Sequence, residues 1–171
     1  YYEYDLMSAL WTYVRNDSVI KYEVYDADSI IDGFIYEYYD NDKKKADAVF
    51  LENGKRDQKW YTYFEEGQDS TISAYDAGKR TGAWYVFYDS TFEAANETNY
   101  ENNLMHGDYK EWYIDEGPKV EGYYEYGKKH LLWAFWDERG YQRFEEWRMG
   151  VLYDTFEYEY YENGQLKEEA S

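Results

Sequence analysis

The chain has 171 residues, with 37 acidic against 18 basic side chains, a net charge of −19 and no cysteine. Such a field repels phosphate backbones and anionic lipid, which makes nucleic acid and acidic membranes poor partners, and the missing thiols exclude a disulfide framework and a thiolate metal site. Leu, Ile, Val and Phe number only 29, too few at this charge for an ordinary aliphatic core, but 25 Tyr and 7 Trp supply apolar area in a form suited to pleated, half-wet β surfaces.

From the N-terminus, Asp5-Leu6-Met7-Ser8-Ala9-Leu10 is the only stretch with a helical leaning. Trp11 follows, then a turn pair, Asn16-Asp17, and a return arm ending at Tyr25 and the turn residue Asp28. The same sequence of signals recurs down the chain: Ile35, the turn Asn41-Asp42, then Leu51 before Gly54-Lys55; Trp60, the turn Glu66-Gly67, then Tyr75 before Gly78-Lys79. Trp84 leads to Tyr100 and Asn103, and Tyr109 leads to Glu116-Gly117, Pro118, Tyr124 and Gly127-Lys128. Trp133 is followed by Arg139-Gly140, Trp147 and Gly150, and the last unit sets Glu157 beside Phe156 and Tyr158 before Asn163-Gly164. Positions 11, 35, 60, 84, 109, 133 and 157 are separated by 24 or 25 residues throughout. An aromatic or apolar residue stands three positions before each Gly, Asn or Asp of the second set of turns, residue types that tolerate positive φ. Each unit therefore reads strand, tight turn, strand, tight turn. The expectation is an all-β chain, a single repeat domain over 1–171. About seven antiparallel β-hairpins make one elongated, twisted sheet of about fourteen strands, on the order of 65 Å long at the usual strand spacing. No apolar run approaches the roughly 20 residues of a membrane-spanning helix.

A unit of Gly-Lys, a short spacer, Trp, an aromatic pair, an Asn-Gly turn and a Lys/Glu-rich return arm resembles the MORN repeat. It is most similar to the bacterial MORN-variant proteins labelled YwqK-family antitoxins. The likeness is clearest over residues 78–88 and 160–169 and extends along essentially the whole chain. Gly82 and Gly107 match the second glycine of that repeat, whereas Ala9, Gln58, Leu131 and Thr155 stand in its place elsewhere. The resemblance implies an extended run of antiparallel hairpins serving as a protein-interaction or scaffolding module.

Alternation along a strand puts Trp84, Val86 and Tyr88 on one face and Tyr85 and Phe87 on the other. The comb of Trp11, Ile35, Trp60, Trp84, Tyr109 and Trp133 is read as structural, tall side chains sheltering the backbone of a one-layer sheet. On the opposite face Tyr61, Tyr63, Tyr85, Phe87, Trp112 and Trp136 form a ladder expected to bind a partner. His106 and His130 hold the same place in successive units, about 10 Å apart if the hairpins stack regularly, too far for one metal ion. Acidic pairs such as Asp26 with Asp28, or Asp40 with Asp42, lack a full calcium loop. No metal, cofactor or catalytic constellation is expected: there is no phosphate-cradling glycine loop, no His-Glu-x-x-His pattern and no cysteine.

The function expected is thus a non-catalytic module that binds a protein partner, one that is basic or part of a membrane-protein complex, as an accessory or structural subunit of a larger bacterial assembly. Carbohydrate or cell-wall binding and an antitoxin role are the alternatives. An extracytoplasmic place, in the periplasm or cell envelope, is favoured over the cytoplasm. Tyr2 lies three residues before Asp5, and Ser171 falls within a return arm, so both ends are expected to cut a unit and to need more chain or a partner.

Overall fold

In the computed structural model, the residues described are 9–27, 29–51, 55–114, 117–137, 141–160 and 166–170. Every regular element among them is a β-strand, and the chain divides into two compact units, Tyr1–Thr81 and Gly82–Ser171. The first unit holds β1 (Ala9–Arg15), β2 (Ser18–Asp26), β3 (Ser29–Tyr38), β4 (Lys44–Leu51), β5 (Lys55–Tyr63), β6 (Asp69–Asp76) and the two-residue β7 (Lys79–Arg80). The second holds β8 (Gly82–Phe87), β9 (Ala94–Glu101), β10 (Leu104–Trp112), β11 (Pro118–Glu125), β12 (Lys128–Trp136), β13 (Gln142–Arg148), β14 (Val151–Tyr160) and β15 (Leu166–Ala170). Within each unit the strands lie in chain order, every neighbouring pair antiparallel, so each unit is an open stack of hairpins. Thr81, between β7 and β8, still donates its N–H to Ala74 O at 3.0 Å.

The turns follow from backbone chemistry. Asn16-Asp17, Ala77-Gly78, Asn102-Asn103, Tyr126-Gly127 and Met149-Gly150 have positive φ at both central residues and join directly paired strand ends. This is the type I′ geometry, whose twist matches that of the strands it joins. At the other hairpin ends, Asp42 and Gly67 donate to the carbonyls of Tyr39 and Phe64 at 3.1 and 2.9 Å and themselves take positive φ. The expected turn positions Asp28, Gly54, Glu116, Arg139-Gly140 and Asn163-Gly164, and the stretch 5–8, lie outside the described residues.

Successive hairpins are tied at both ends. At the type I′ turns, the N–H groups of Gly78, Gly127 and Gly150 donate to the carbonyls of Arg56, Met105 and Lys129, one hairpin back, at 2.6 to 2.8 Å. The other turn N–H finds a side chain of that same preceding hairpin. Ala77 donates to Asp57 Oδ1 at 3.0 Å, and Tyr126 and Met149 donate to His106 Nδ1 and His130 Nδ1 at 3.4 Å. At the opposite end the phenols of Tyr39, Tyr88 and Tyr113 donate to the carbonyls of Tyr63, Trp112 and Trp136, 23 or 24 residues on, at 2.7 to 2.8 Å. Each bond satisfies a polar group that an isolated hairpin would leave to water.

The position two residues before the comb also has a backbone reason. Gln58, Gly82, Gly107 and Leu131 all have positive φ, and at 58, 107 and 131 this coincides with a register shift in the ladder, a β-bulge. Glycine fits there without strain, whereas Gln58 and Leu131 adopt the same left-handed conformation despite a Cβ.

Candidate functional site

Several comb residues have a small residue in register on a neighbouring strand. Tyr109 pairs with Thr98 and Gly122, Trp60 with Ser73, Trp84 with Thr98, and Ile35 with Ala48. A flat ring needs a low surface beneath it, and the extreme case is Gly122, where an added Cβ would lie 2.2 Å from Trp133 Cδ2. Trp133 is 2% exposed, the most deeply buried large side chain among the described residues; its indole N–H donates to Tyr123 O at 3.2 Å, and Tyr109 and Tyr124 pack against it at 5.4 and 4.9 Å between centroids. Trp60 packs on Tyr75 and Trp84 on Tyr100, and Ile35 is half-buried. Trp11, in register with Glu23, is 47% exposed.

Among the described residues one carboxylate in each unit is buried beside a comb residue, Glu23 in register with Trp11 and Glu145 with Trp133. Glu145 accepts from the Trp147 indole at 2.8 Å and meets Arg143 at 3.3 Å and Lys129 at 3.5 Å. Glu23 is held by Lys21 at 2.7 Å and by the hydroxyls of Tyr13 and Tyr25. Burial pushes the Glu23 carboxyl up, but the hydrogen bonds from Lys21 and Tyr13 and the Lys21 charge outweigh it and hold the group below the usual glutamate range. Cations are seated on rings throughout: Arg56 on Trp60 at 4.0 Å, Lys44 on Tyr36 at 4.2 Å, Lys129 on Trp133 at 4.3 Å and Arg148 on Tyr153 at 3.5 Å. Much of the small basic complement is thus engaged internally.

All six residues of the expected binding ladder are half-buried. Tyr63 donates to Asp47 Oδ2 at 2.8 Å, and its own carbonyl is the acceptor for Tyr39; burial first, then that carboxylate, push its phenol well above the ordinary tyrosine value. Trp112 and Trp136 contribute the carbonyls that bind Tyr88 and Tyr113. Tyr85 lies 6.3 Å from Phe87 and donates to Glu97 at 3.4 Å. Tyr61 and Trp136 each line a cleft. The first unit's cleft has a volume of about 600 Å³, with Phe34, Tyr36 and Asp47 beside Tyr61. The second unit's cleft, about 550 Å³, sets Trp136 with Glu121, Gly122 and Tyr123.

Apart from Val86 and Ile114, the exposed large apolar side chains among the described residues of the second unit lie elsewhere, toward its type I′ turns. Tyr126 and Met149 occupy the turns themselves, and Leu104, Leu131, Leu132, Val151, Leu152 and Tyr153 lie beside them on β10, β12 and β14; exposure ranges from 42% at Met149 to 67% at Val151. Sequence reasoning passed over this ridge because only the register shows which apolar residues remain uncovered. One signal was available, since Tyr and Met stand where a type I′ turn favours Asn, Asp or Gly. The first unit has Ala77 there.

The histidines that invite a metal reading have another occupation. Each Nδ1 accepts a turn N–H, and the Nε2 atoms face Glu101 at 3.7 Å and Glu125 at 3.3 Å. Among the described residues no group of three or more His, Cys, Asp or Glu is placed to hold a metal ion. What the arrangement offers chemically is rings, carboxylates and uncovered apolar area, the components of recognition. No protein-family model and no curated protein matches the chain.

Proposed function

We propose that the chain is a non-catalytic, MORN-like repeat module that binds a basic protein partner as an accessory or structural subunit of a larger bacterial assembly. The observation that supports this reading is the exposed apolar area around the second unit's type I′ turns, where Leu131 and Leu152 are both in register with Trp147 and Leu132 and Val151 take the alternate strand positions. Contiguous exposed apolar area is a mark of docking sites. Tyr126 and Met149 hold the left-handed backbone at φ 47 and 51, and strain retained alongside exposure is a pattern of binding surfaces. The net charge of −19 favours a basic partner and speeds its encounter.

The test is capture from extract of the native host, with a glycan array run in parallel. A protein retained by the parent chain and lost on Val151→Asp with Leu152→Asp is the expected outcome, each residue contributing roughly 1 to 2 kcal/mol if it is an anchor. Equal capture by the variant, or array binding with no protein partner, overturns the reading.

A further inference from the structure

We propose that His106 and His130 make the docking surface of the second unit proton-sensitive: a proton taken up at each Nδ1 releases the backbone N–H groups of Tyr126 and Met149, and with them the turns that carry exposed apolar side chains. This concerns the regulation of the proposed docking surface and rests on that reading.

The same geometry occurs in two successive hairpins. Tyr126 N–H donates to His106 Nδ1 and Met149 N–H to His130 Nδ1, both at 3.4 Å, while Nε2 of each ring faces a carboxylate, Glu101 at 3.7 Å and Glu125 at 3.3 Å. An Nε2–H aimed at a carboxylate leaves the Nδ1 lone pair to the turn, so the tie belongs to the neutral ring. Imidazolium carries N–H on both nitrogens; two donors then face each other at Nδ1 while the carboxylate still accepts at Nε2. The turn loses its acceptor and the ring keeps its place. The tie is therefore present at higher pH and lost as pH falls. Each histidine side chain is 26% exposed, which leaves it open to protons from solvent.

The groups around the rings leave this exchange to Nδ1. His106 is faced by Glu101 from β9, by the Tyr123 ring from β11 at 6.1 Å and by the Tyr126 ring in the turn beyond it at 5.0 Å. His130 meets Glu125 and its register partner Tyr123 from β11; at the end of β13, next to Met149, the Arg148 guanidinium is engaged by Glu146 at 2.9 Å and by the Tyr153 ring. The first unit supplies the contrast. Asp57, like each histidine, stands three residues before its comb residue, and its Oδ1 accepts the Ala77 N–H at 3.0 Å. Carboxylic acids titrate near about pH 4 and imidazoles between about pH 5 and pH 8, so the two kinds of tie respond in different ranges. The proton-sensitive acceptors hold Tyr126 and Met149, 59% and 42% exposed, whereas the carboxylate holds an alanine. A turn that has lost its tie must be ordered again when a partner docks, which weakens docking.

The experiment follows the full chain by solvent-exchange NMR at the amides of Tyr126, Met149 and Ala77, each rate divided by that of an unstructured chain at the same pH. From about pH 7.5 to about pH 5.5, protection at Tyr126 and Met149 should fall about fivefold, the worth of one hydrogen bond, and protection at Ala77 should hold. His106→Asn with His130→Asn keeps an acceptor oxygen where Nδ1 stood, and His106→Asp with His130→Asp copies Asp57; in either double variant the fall should vanish. Unchanged protection in the parent, or the same fall in a folded variant, overturns the proposal. A host protein retained in the capture assay is then titrated over the same range. The parent should lose affinity on the order of threefold more than the asparagine variant, and an equal loss in both overturns the regulation. Retention of no protein at any pH sinks the docking reading, and the exchange rates still decide whether the turns are released.

Discussion

Gly122→Ala is the sharpest test of how the comb is seated. The new methyl would lie 2.2, 2.4 and 2.6 Å from Trp133 Cδ2, Cε2 and Cε3, contacts to the middle of a rigid ring rather than to a flexible end. To reach ordinary contact the indole must retreat by roughly 1 Å, and a gap of that size forfeits a quarter to a half of each dispersion well it opens. A tryptophan buries about 150–250 Å², worth roughly 4–6 kcal/mol at about 25 cal/mol per Å². Losing part of that, together with the indole bond to Tyr123, puts the expected cost at about 2–3 kcal/mol, within the range for overpacked cores. The assay is a double-mutant cycle by urea unfolding. In a Trp133→Leu background the ring is gone, so the glycine substitution should cost under about 0.5 kcal/mol, giving a coupling near 2 kcal/mol. A Gly122→Ala protein as stable as the parent, or the same penalty in both backgrounds, refutes the account of a ring lying on a bare backbone.

Leu131→Gly should raise the melting temperature, since it relieves a left-handed conformation worth about 1 kcal/mol at a side chain 54% exposed; a decrease would show that the leucine's contacts outweigh the strain. Tyr113→Phe should cost about 1 kcal/mol by removing the phenol bond to Trp136 O, measurable as faster hydrogen exchange in β12. The depressed Glu23 carboxyl contributes stability that is complete above the ordinary glutamate value of 4.5 and is lost as pH falls through the lower folded value, so Glu23→Gln should flatten the acid limb of the stability profile. Tyr63 and Tyr109 are raised, burial being the first cause in both, and their contribution is complete below the ordinary tyrosine value of 10.0 and lost as pH rises beyond it. Tyr63→Phe should therefore blunt alkaline unfolding, read by circular dichroism between pH 9 and pH 12, on the order of one limb of the titration.

The hairpins were legible because a 24- to 25-residue period and the turn residues both follow from local backbone demands: Gly78, Asn103, Gly127 and Gly150 all occupy the second position of a type I′ turn. The strands between them were legible from the aromatic spacing. Less visible was everything that depends on which residue lies opposite which. The phenol ties of Tyr39, Tyr88 and Tyr113 repeat in the sequence, but Phe64 holds the same place without a hydroxyl, and nothing local says where a phenol is aimed. The left-handed bulges at Gln58 and Leu131 carry no glycine to announce them. Alternation fixes the strand positions of Tyr61, Tyr63, Tyr85, Phe87, Trp112 and Trp136 but not their cover, and all six are half-buried. The equivalence of Asp47 and Glu121 could be read only from the register, each pairing with the strands on both sides at the same place in its unit.

The bonds from Gly78, Gly127 and Gly150 to the hairpin behind each set a rule for how such a chain can lengthen. Each turn addresses a carbonyl 21 or 22 positions earlier, so the match survives when a whole period is gained or lost and fails when a single residue is. Duplication or excision of complete 24- or 25-residue blocks leaves every donor facing an acceptor. A one-residue insertion in an arm turns the side chains beyond it to the wrong face. Tandem copying at the gene level is thus the variation this architecture accepts most readily, and the two clefts show how copies so made can drift apart in a few side chains while the backbone pattern stays common.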